Sequence, residues 1–214
     1  MGSCLFGIET SGDLCSVAVL REDQSVVKKS LDLPYGQAGH LMGLCQEVLS
    51  TAQVTWKDLT GIVINRGPGS FTGIRGGMAA AQGFSLAGDL PLLGLTSFEI
   101  YRALCGENQS LVVVLETRRQ DMFAAFFKAG AMEPEFARVM NEDELSFFLA
   151  SHSGGSLVTN IKPLSEKIQD ALYRLLEADD VLRAWHFYHQ HKPSVFSDEP
   201  YYLREPDIHG RPAS

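Results

Sequence analysis

Short apolar runs separated by turn-forming residues make up the start of the chain. Runs at residues 4–9 and 15–20 flank Thr10-Ser11-Gly12-Asp13, a pattern that predicts a β-hairpin. A third strand is expected near residues 25–31. Leucine and valine then recur at helical spacing and predict a helix over residues 38–52.

The most informative segment comes next. A β-branched run at residues 61–65 predicts a buried strand, and the three glycines and one proline of residues 66–73 predict a tight turn. A helix is expected over residues 74–87, where the chain carries almost no charge. A glycine turn between a strand and a helix can present backbone N–H groups to phosphate, or it can allow two chain segments to pack closely.

Weaker patterns continue to the end of the chain. They predict strands over residues 91–95, 111–115, 122–128 and 156–159, and helices over 97–105, 142–150, 164–177 and 181–189. Asn141 is expected to cap the helix at 142–150, with Glu144 in the capping-box position. The tail, residues 192–214, is expected to cross the surface. Leading strands followed by alternating helices and strands predict an α/β fold with a mixed sheet.

Composition excludes several classes of function. The chain has 18 Lys and Arg against 26 Asp and Glu, a net charge of −8, which argues against nucleic-acid binding by bulk electrostatics. Its four cysteines show no metal-ligand spacing, which favours a reduced, cytoplasmic protein. No apolar run approaches the roughly 18 residues that a membrane span needs.

Metal and nucleophile chemistry lack the expected patterns. His186, His189 and His191 do not share one helix face, so a helix end with partly exposed imidazoles is favoured over a zinc site. No G-x-S-x-G elbow is present for Ser/His/Asp catalysis. The sequence therefore predicts no metal site, no cofactor and no catalytic residue.

One candidate site is a vestigial nucleotide cleft, whose residues end the first strand, form the hairpin tip or lie in the glycine turn: Glu9, Thr10, Ser11, Gly67 and Gly69. Glu9 could hold a magnesium ion or its water shell, but no second acid is paired with it. The turn has neither the G-K-[ST] ending of a P-loop nor G-x-G-x-x-G spacing. Arg118 and Arg119 are either a solvated loop pair or a small anion contact.

The second candidate site is a partner interface on two helices. Small or weakly polar residues are expected on one side of each helix: Gly39, Met42, Gly43 and Gln46 on the first, and Gly76, Ala80, Gly83 and Ala87 on the second. These sides either pack within the chain's own fold or form a close helix-bundle contact with another chain.

Several motifs closely resemble the TsaB (YeaZ) family of bacterial accessory proteins for tRNA threonylcarbamoyladenosine biosynthesis. The most specific match is Arg66-Gly67-Pro68-Gly69-Ser70-Phe71-Thr72-Gly73-Ile74-Arg75. Supporting matches are Ile8-Glu9-Thr10-Ser11, Cys15-Ser16-Val17-Ala18-Val19, Gly94-Leu95-Thr96-Ser97, Glu116-Thr117-Arg118-Arg119, Met122-Phe123-Ala124-Ala125 and Tyr202-Leu203-Arg204-Glu205-Pro206-Asp207.

The resemblance implies an actin-like ATPase (ASKHA) fold of two ribonuclease H-like halves. Residues 1–105 would form an N-terminal domain with the dimerisation helices, and residues 106–214 a smaller C-terminal domain and tail. The implied role is a non-catalytic scaffold that binds TsaD, which transfers threonylcarbamoyl to adenosine 37 of tRNAs reading codons that begin with A. The ATPase TsaE would join the complex, tRNA would be reached only through it, and self-pairing is a further option.

Two departures from related proteins concern the cleft. Glu9 stands where the family usually has Asp, and Leu95-Thr96-Ser97-Phe98-Glu99-Ile100 lacks the metal-binding histidines of TsaD. The alternative function is an ASKHA-type phosphotransferase or a metallopeptidase acting on its own. A direct tRNA-binding module is disfavoured, because the sequence is acidic and shows no aromatic-basic stripe.

Overall fold

The structure is a computed structural model and describes residues 3–32, 37–152, 154–191 and 197–204. The strands are β1 (Leu5–Glu9), β2 (Leu14–Leu20), β3 (Val26–Asp32), β4 (Gly61–Asn65), β5 (Leu92–Leu95), β6 (Leu111–Glu116), β7 (Met122–Phe127), β8 (Phe136–Met140), β9 (Ser156–Thr159) and β10 (Leu172–Tyr173). The helices are α1 (Gln37–Ala52), α2 (Phe71–Gly88), α3 (Ser97–Cys105), α4 (Glu142–Ser151), α5 (Lys162–Lys167) and α6 (Ala178–His191).

Both sheets have five strands with the same connectivity. The first sheet has the order β3-β2-β1-β4-β5, in which β1 to β3 are antiparallel and β4 and β5 run parallel to β1. The second repeats this order as β8-β7-β6-β9-β10. The predicted α/β ASKHA fold of two ribonuclease H-like halves is confirmed. The second half is reduced, since β10 has only 2 residues and α5 only 6.

The two sheets are stacked with helices between and outside them. Alternate side chains of each strand point to opposite faces, so β1 sends Leu5 towards the middle of the molecule and Phe6 towards α1 and α2. In β6, Val113 points inward and Val112 points towards α4 and α5. Helices α3 and α6 fill the space between the sheets, which gives five layers in the described part of the chain.

Helix α6 follows the second sheet in sequence but packs on the first. Its first residue, Ala178, donates its N–H to the Ser16 hydroxyl of β2 at 3.0 Å. A side chain at Gly7 of β1 would meet the Ala178 carbonyl oxygen at 2.8 Å, so this glycine allows the helix to lie against the sheet. The predicted boundary at residue 105 falls between α3 and β6. Helix α6 belongs to the second half by sequence but packs on the sheet of the first half.

Most predicted elements are observed, with three corrections. The second interface helix begins at Phe71 rather than residue 74, because the Ser70 hydroxyl caps it by accepting from the Gly73 N–H at 3.3 Å. The helix predicted over residues 164–177 is wrong: α5 ends at Lys167, Asp170 has a φ of 63°, and Leu172–Tyr173 pairs with β9.

The third correction is β8, which the predictions missed. Its partial burial pattern gives little alternation, and the strand forms by pairing with β7 at the sheet edge. Of the predicted surface tail, only residues 197–204 are described, and residues 192–196 and 205–214 lie outside the described part. There, Tyr201 donates its N–H to the Arg66 carbonyl oxygen at 2.8 Å.

Candidate functional site

A buried polar network lies at the carboxyl ends of β1 and β4. Glu9, the last residue of β1, is only 1% exposed. One carboxylate oxygen accepts from the Ser11 N–H at 2.6 Å, and the other accepts from the Asn65 side-chain amide at 2.6 Å. Adjacent parallel strands end at the same sheet edge, which is why the two side chains meet.

Asn65 is the centre of this network and was not among the predicted site residues. Its amide nitrogen also lies 2.9 Å from the hydroxyls of Ser11 and Ser97, and its carbonyl oxygen accepts from the Gly67 N–H at 2.9 Å. Ser97 in turn donates to the Pro68 carbonyl oxygen at 2.8 Å. The available signal in the sequence was a polar residue ending the buried run 61–65.

The Glu9 carboxyl group has a strongly perturbed pKa. Burial raises this pKa to about 7, although the hydrogen bonds from Ser11 and Asn65 act in the opposite direction. Near neutral pH the group is therefore divided between its acid and carboxylate forms. Such a group could exchange a proton if a reactant came within hydrogen-bond reach of it.

The hairpin tip packs directly against the glycine turn. Ser70 donates its N–H to the Ser11 carbonyl oxygen at 2.6 Å, and a Cβ atom at Gly69 would lie 2.3 Å from that oxygen. Thr10 donates its hydroxyl to the Gly73 carbonyl oxygen at 2.8 Å. Of the two interpretations of the turn, close packing of two segments describes what these contacts do.

All five residues of the predicted cleft converge at this point. Gly67 has a φ of 106°, which glycine adopts without strain, and its carbonyl oxygen accepts from the Ser97 N–H at 2.8 Å. One cavity between the halves, which Glu9 lines together with Ser11 and Asn160, has a volume of about 20 Å³. That volume holds about one water molecule.

The predicted interface residues lie on the outer sides of α1 and α2. Six of them are exposed, and Gly76 and Ala80 are half-buried. Met42 is 50% exposed, and Leu86, which the prediction did not include, is 88% exposed. Charged residues border this surface, since Glu47 and Arg75 are exposed as well. The inner sides of both helices pack on the first sheet.

Arg118 and Arg119 lie in the loop between β6 and β7. Arg118 forms an ion pair with Asp13 of the hairpin tip, so this loop contacts the first half directly. Both arginines line a cleft of about 350 Å³, together with Phe71 and Tyr202. Tyr202 comes from a segment far away in sequence, which is why no aromatic-basic stripe was visible there.

The described residues offer little for metal binding. Within those ranges no group of three His, Cys, Asp or Glu side chains is arranged to hold a metal ion. His189 stacks on Trp185 with ring centroids 4.8 Å apart, and the side chain of His191 lies outside the described part. No described helix combines the length and apolar character required to cross a membrane.

Comparison with known sequences gives consistent matches. The family model described as "TsaD: tRNA N6-adenosine threonylcarbamoyltransferase" matches residues 38–142. The chain is 32% identical to TsaB of Escherichia coli (strain K12) over 94 residues, which are 44% of this chain and 40% of that protein. It is 26% identical to TsaB of Bacillus subtilis (strain 168) over 132 residues, 60% of this chain and 58% of the relative. The chain spans about half the length of the curated relatives it matches.

Comparison with solved structures extends the likeness along the chain. An uncharacterized protein from Pseudomonas aeruginosa, described as similar to peptidase YEAZ, has a TM-score of 0.76 at 21% identity. The alignment covers 94% of this chain and 100% of that one. A second structure, YeaZ from the same organism, has a TM-score of 0.75. At this identity the likeness concerns the fold. The chain is thus similar in sequence to proteins named TsaB, over about half of their length, and similar in fold to YeaZ.

Proposed function

We propose that this chain is a non-catalytic scaffold that binds a TsaD-type subunit through α1 and α2. In that complex it activates transfer of threonylcarbamoyl to adenosine 37 of tRNAs reading codons that begin with A. TsaE is expected to join the complex. The observation that carries the proposal is the uncharged outer side of the two helices, together with Leu86 in the last turn of α2, which is 88% exposed.

The exposed glycines of this surface support the proposal. A Cβ atom added at Gly39, Gly43 or Gly83 would meet nothing within 4 Å, so packing inside this chain does not require glycine there. Each such glycine costs a helix interior about 0.5–1 kcal/mol relative to alanine. Close approach of a second helix is a physical reason to keep residues without side chains at these positions.

The closed cleft supports a role without catalysis. Its volume of about 20 Å³ leaves no room for a nucleotide beside Glu9. The Ser70 N–H, which could otherwise bind a phosphate, already donates to the Ser11 carbonyl oxygen. The phosphotransferase and metallopeptidase alternatives both need a substrate in that space. An opening motion of the two halves would be required before either reaction could start.

Interface variants test the pairing. Gly83→Arg and Ala80→Glu place a charge in the centre of the proposed contact, where burial of an unpaired charge costs several kcal/mol. We expect both variants to fold normally and to lose co-purification with the TsaD-type subunit of the same organism. Circular dichroism and size-exclusion chromatography measure the two properties separately.

Ala150→Arg on the exposed side of α4 is the matched control, because it adds the same charge to another helix. This variant should pair like the unaltered chain. Normal co-purification of Gly83→Arg would refute the proposed interface.

An activity assay separates scaffold from enzyme. Threonylcarbamoyl transfer is measured with TsaD and TsaE, with and without this chain. We expect transfer to depend on the chain, with no turnover by the chain alone. Nucleotide hydrolysis or peptide cleavage by the purified chain would favour the enzyme alternative.

A further inference from the structure

The arginine–tyrosine cleft is a second concave site beside the closed one. It is bounded by Phe71, Arg118, Arg119, Tyr202 and Arg204, and its volume is about 350 Å³. These residues come from the start of α2, the loop between β6 and β7, and the segment 197–204. Pro68 and Gly69 line both the cleft and the closed site, so the two are neighbours.

The cleft carries aromatic surface. Tyr202 is 37% exposed, and its ring centroid lies 5.3 Å from that of Phe71. The guanidinium group of Arg75 lies 3.8 Å from the centroid of the Phe71 ring. An exposed ring in a cavity of this size can stack on a planar ligand such as a nucleobase.

The cleft also carries positive charge on a chain whose net charge is −8. Arg118 is paired with Asp13, and Arg204 is paired with Asp121. Arg119 adds a further guanidinium group on an exposed residue of the lining, and the nearby Arg75 donates to the Tyr202 hydroxyl at 3.4 Å. In each of these two ion pairs at least one side chain is more than a quarter exposed, so water or a competing anion can reach the pair. Guanidinium groups beside aromatic rings are typical of sites that bind nucleic-acid strands.

We propose that the arginine–tyrosine cleft contacts an unpaired segment of the tRNA substrate. A base stacks on Tyr202, and neighbouring phosphates contact Arg118 and Arg119. The proposal rests on the proposed function, since the complex is what brings the tRNA to this surface. The cleft would then give the scaffold a direct part in holding the substrate.

The test measures tRNA affinity of the assembled complex at several salt concentrations. Tyr202→Ala removes the stacking ring and should weaken binding about tenfold. Arg119→Ser removes a phosphate contact. The plot of log affinity against log salt should therefore fall less steeply, by about 0.7–0.9 in slope. Tyr202→Phe keeps the ring but loses the hydroxyl that accepts from Arg75, and it should recover most of the affinity that Tyr202→Ala loses.

Arg183→Ser is the matched control, because it removes an arginine whose side chain is 64% exposed on α6. Thermal unfolding and co-purification are measured for every variant. If Tyr202→Ala proves unstable, Arg119→Ser in its exposed loop decides the question. Unchanged affinity and salt slope for stable Tyr202→Ala and Arg119→Ser complexes would overturn the proposal.

Two further arms separate this proposal from its alternatives. ATP is tested as a ligand in parallel, and loss of ATP binding without loss of tRNA binding would assign the cleft to a free nucleotide and overturn the proposal. If the unaltered chain does not assemble with TsaD, the proposed function fails. The RNA contact is then tested on the chain alone with a labelled anticodon stem-loop. Binding that Tyr202→Ala weakens would support the contact, and absence of binding would refute it.

Discussion

Glu9 shows how one buried residue can set a pH dependence for the whole chain. Its carboxyl group is almost fully buried, and its hydrogen-bond partners Ser11 and Asn65 only partly compensate for the loss of water. The pKa rises from 4.5 to about 7 in the folded state. The folded chain therefore holds this proton more tightly than the unfolded chain does.

We expect the Glu9→Gln variant to lose this pH dependence. A raised pKa contributes stability that is fully present below the unfolded pKa and is lost as pH rises through the folded one. The unaltered chain should lose on the order of 3 kcal/mol of unfolding free energy between pH 4.5 and pH 8 relative to the variant. Urea unfolding of both proteins at several pH values measures this difference in unfolding free energy.

The readout is the change of unfolding free energy with pH, not its absolute value. The NH₂ group of a glutamine at position 9 would face one of the two donors, the Ser11 N–H or the Asn65 amide, and this alone lowers stability at every pH. Glu166→Gln, at an exposed position of α5, is the control and should follow the unaltered chain. Parallel pH curves for Glu9→Gln and the unaltered chain would contradict the expectation.

At the scale of elements, α2 contains glycines with opposite reasons for being there. On its inner side, a Cβ atom at Gly77 would lie 2.2 Å from the Thr10 hydroxyl oxygen, so glycine is needed for the helix to reach the hairpin. On the outer side, Gly83 faces open space. The same residue type therefore reports packing within the chain at one position and an unfilled surface at the other.

Alanine at these two positions should change stability in opposite directions. Gly77→Ala forces the helix away from the hairpin and should destabilise the isolated chain by about 1–3 kcal/mol. Gly83→Ala removes a flexible exposed residue and should stabilise it by about 1 kcal/mol. Chemical denaturation of both variants measures the difference. Equal effects would mean that the outer side of α2 is already covered in the isolated chain.

For the whole molecule, the two halves share one core. Residues of the first sheet, of α3 and α6, and of the second sheet belong to a single buried cluster. Arg102 of α3 adds a polar connection, since its guanidinium donates to carbonyl oxygens of Gln109 at 2.7 Å and Ala131 at 2.9 Å. Burial on both sides of the predicted boundary should make unfolding cooperative.

We expect residues 1–105 expressed alone to be unfolded or aggregated. Without α6, the first sheet exposes the apolar face on which Val181 and Leu182 pack. The backbone at Gly7, which α6 covers in the full chain, is then exposed as well. The full chain should show one calorimetric transition with equal calorimetric and van't Hoff enthalpies. A folded, monomeric fragment 1–105, or two separate transitions in the full chain, would show that the halves are independent.

Local patterns of residues specify the order and kind of most elements. Apolar runs, glycine turns and caps act locally, so strand β4, helix α3 and the Asn141 cap are visible in the pattern. These patterns also identify the outer side of α1 and α2, because a helix period separates the two faces of one segment. Glu9, Thr10, Ser11, Gly67 and Gly69 of the closed site could be named because each ends a strand or forms a turn, whereas Asn65 at the end of β4 was missed.

The contacts of those residues depend on packing between segments that are distant in sequence. Packing brings Asn65 and Ser97 to Glu9, sets the Ser11 carbonyl on the glycine turn, and places Tyr202 and Arg119 in the lining of one cleft although 83 positions separate them in sequence. It also returns α6 to the first sheet. Each of these contacts depends on how close two distant backbones approach, and that distance is a property of the packed core that no local pattern encodes.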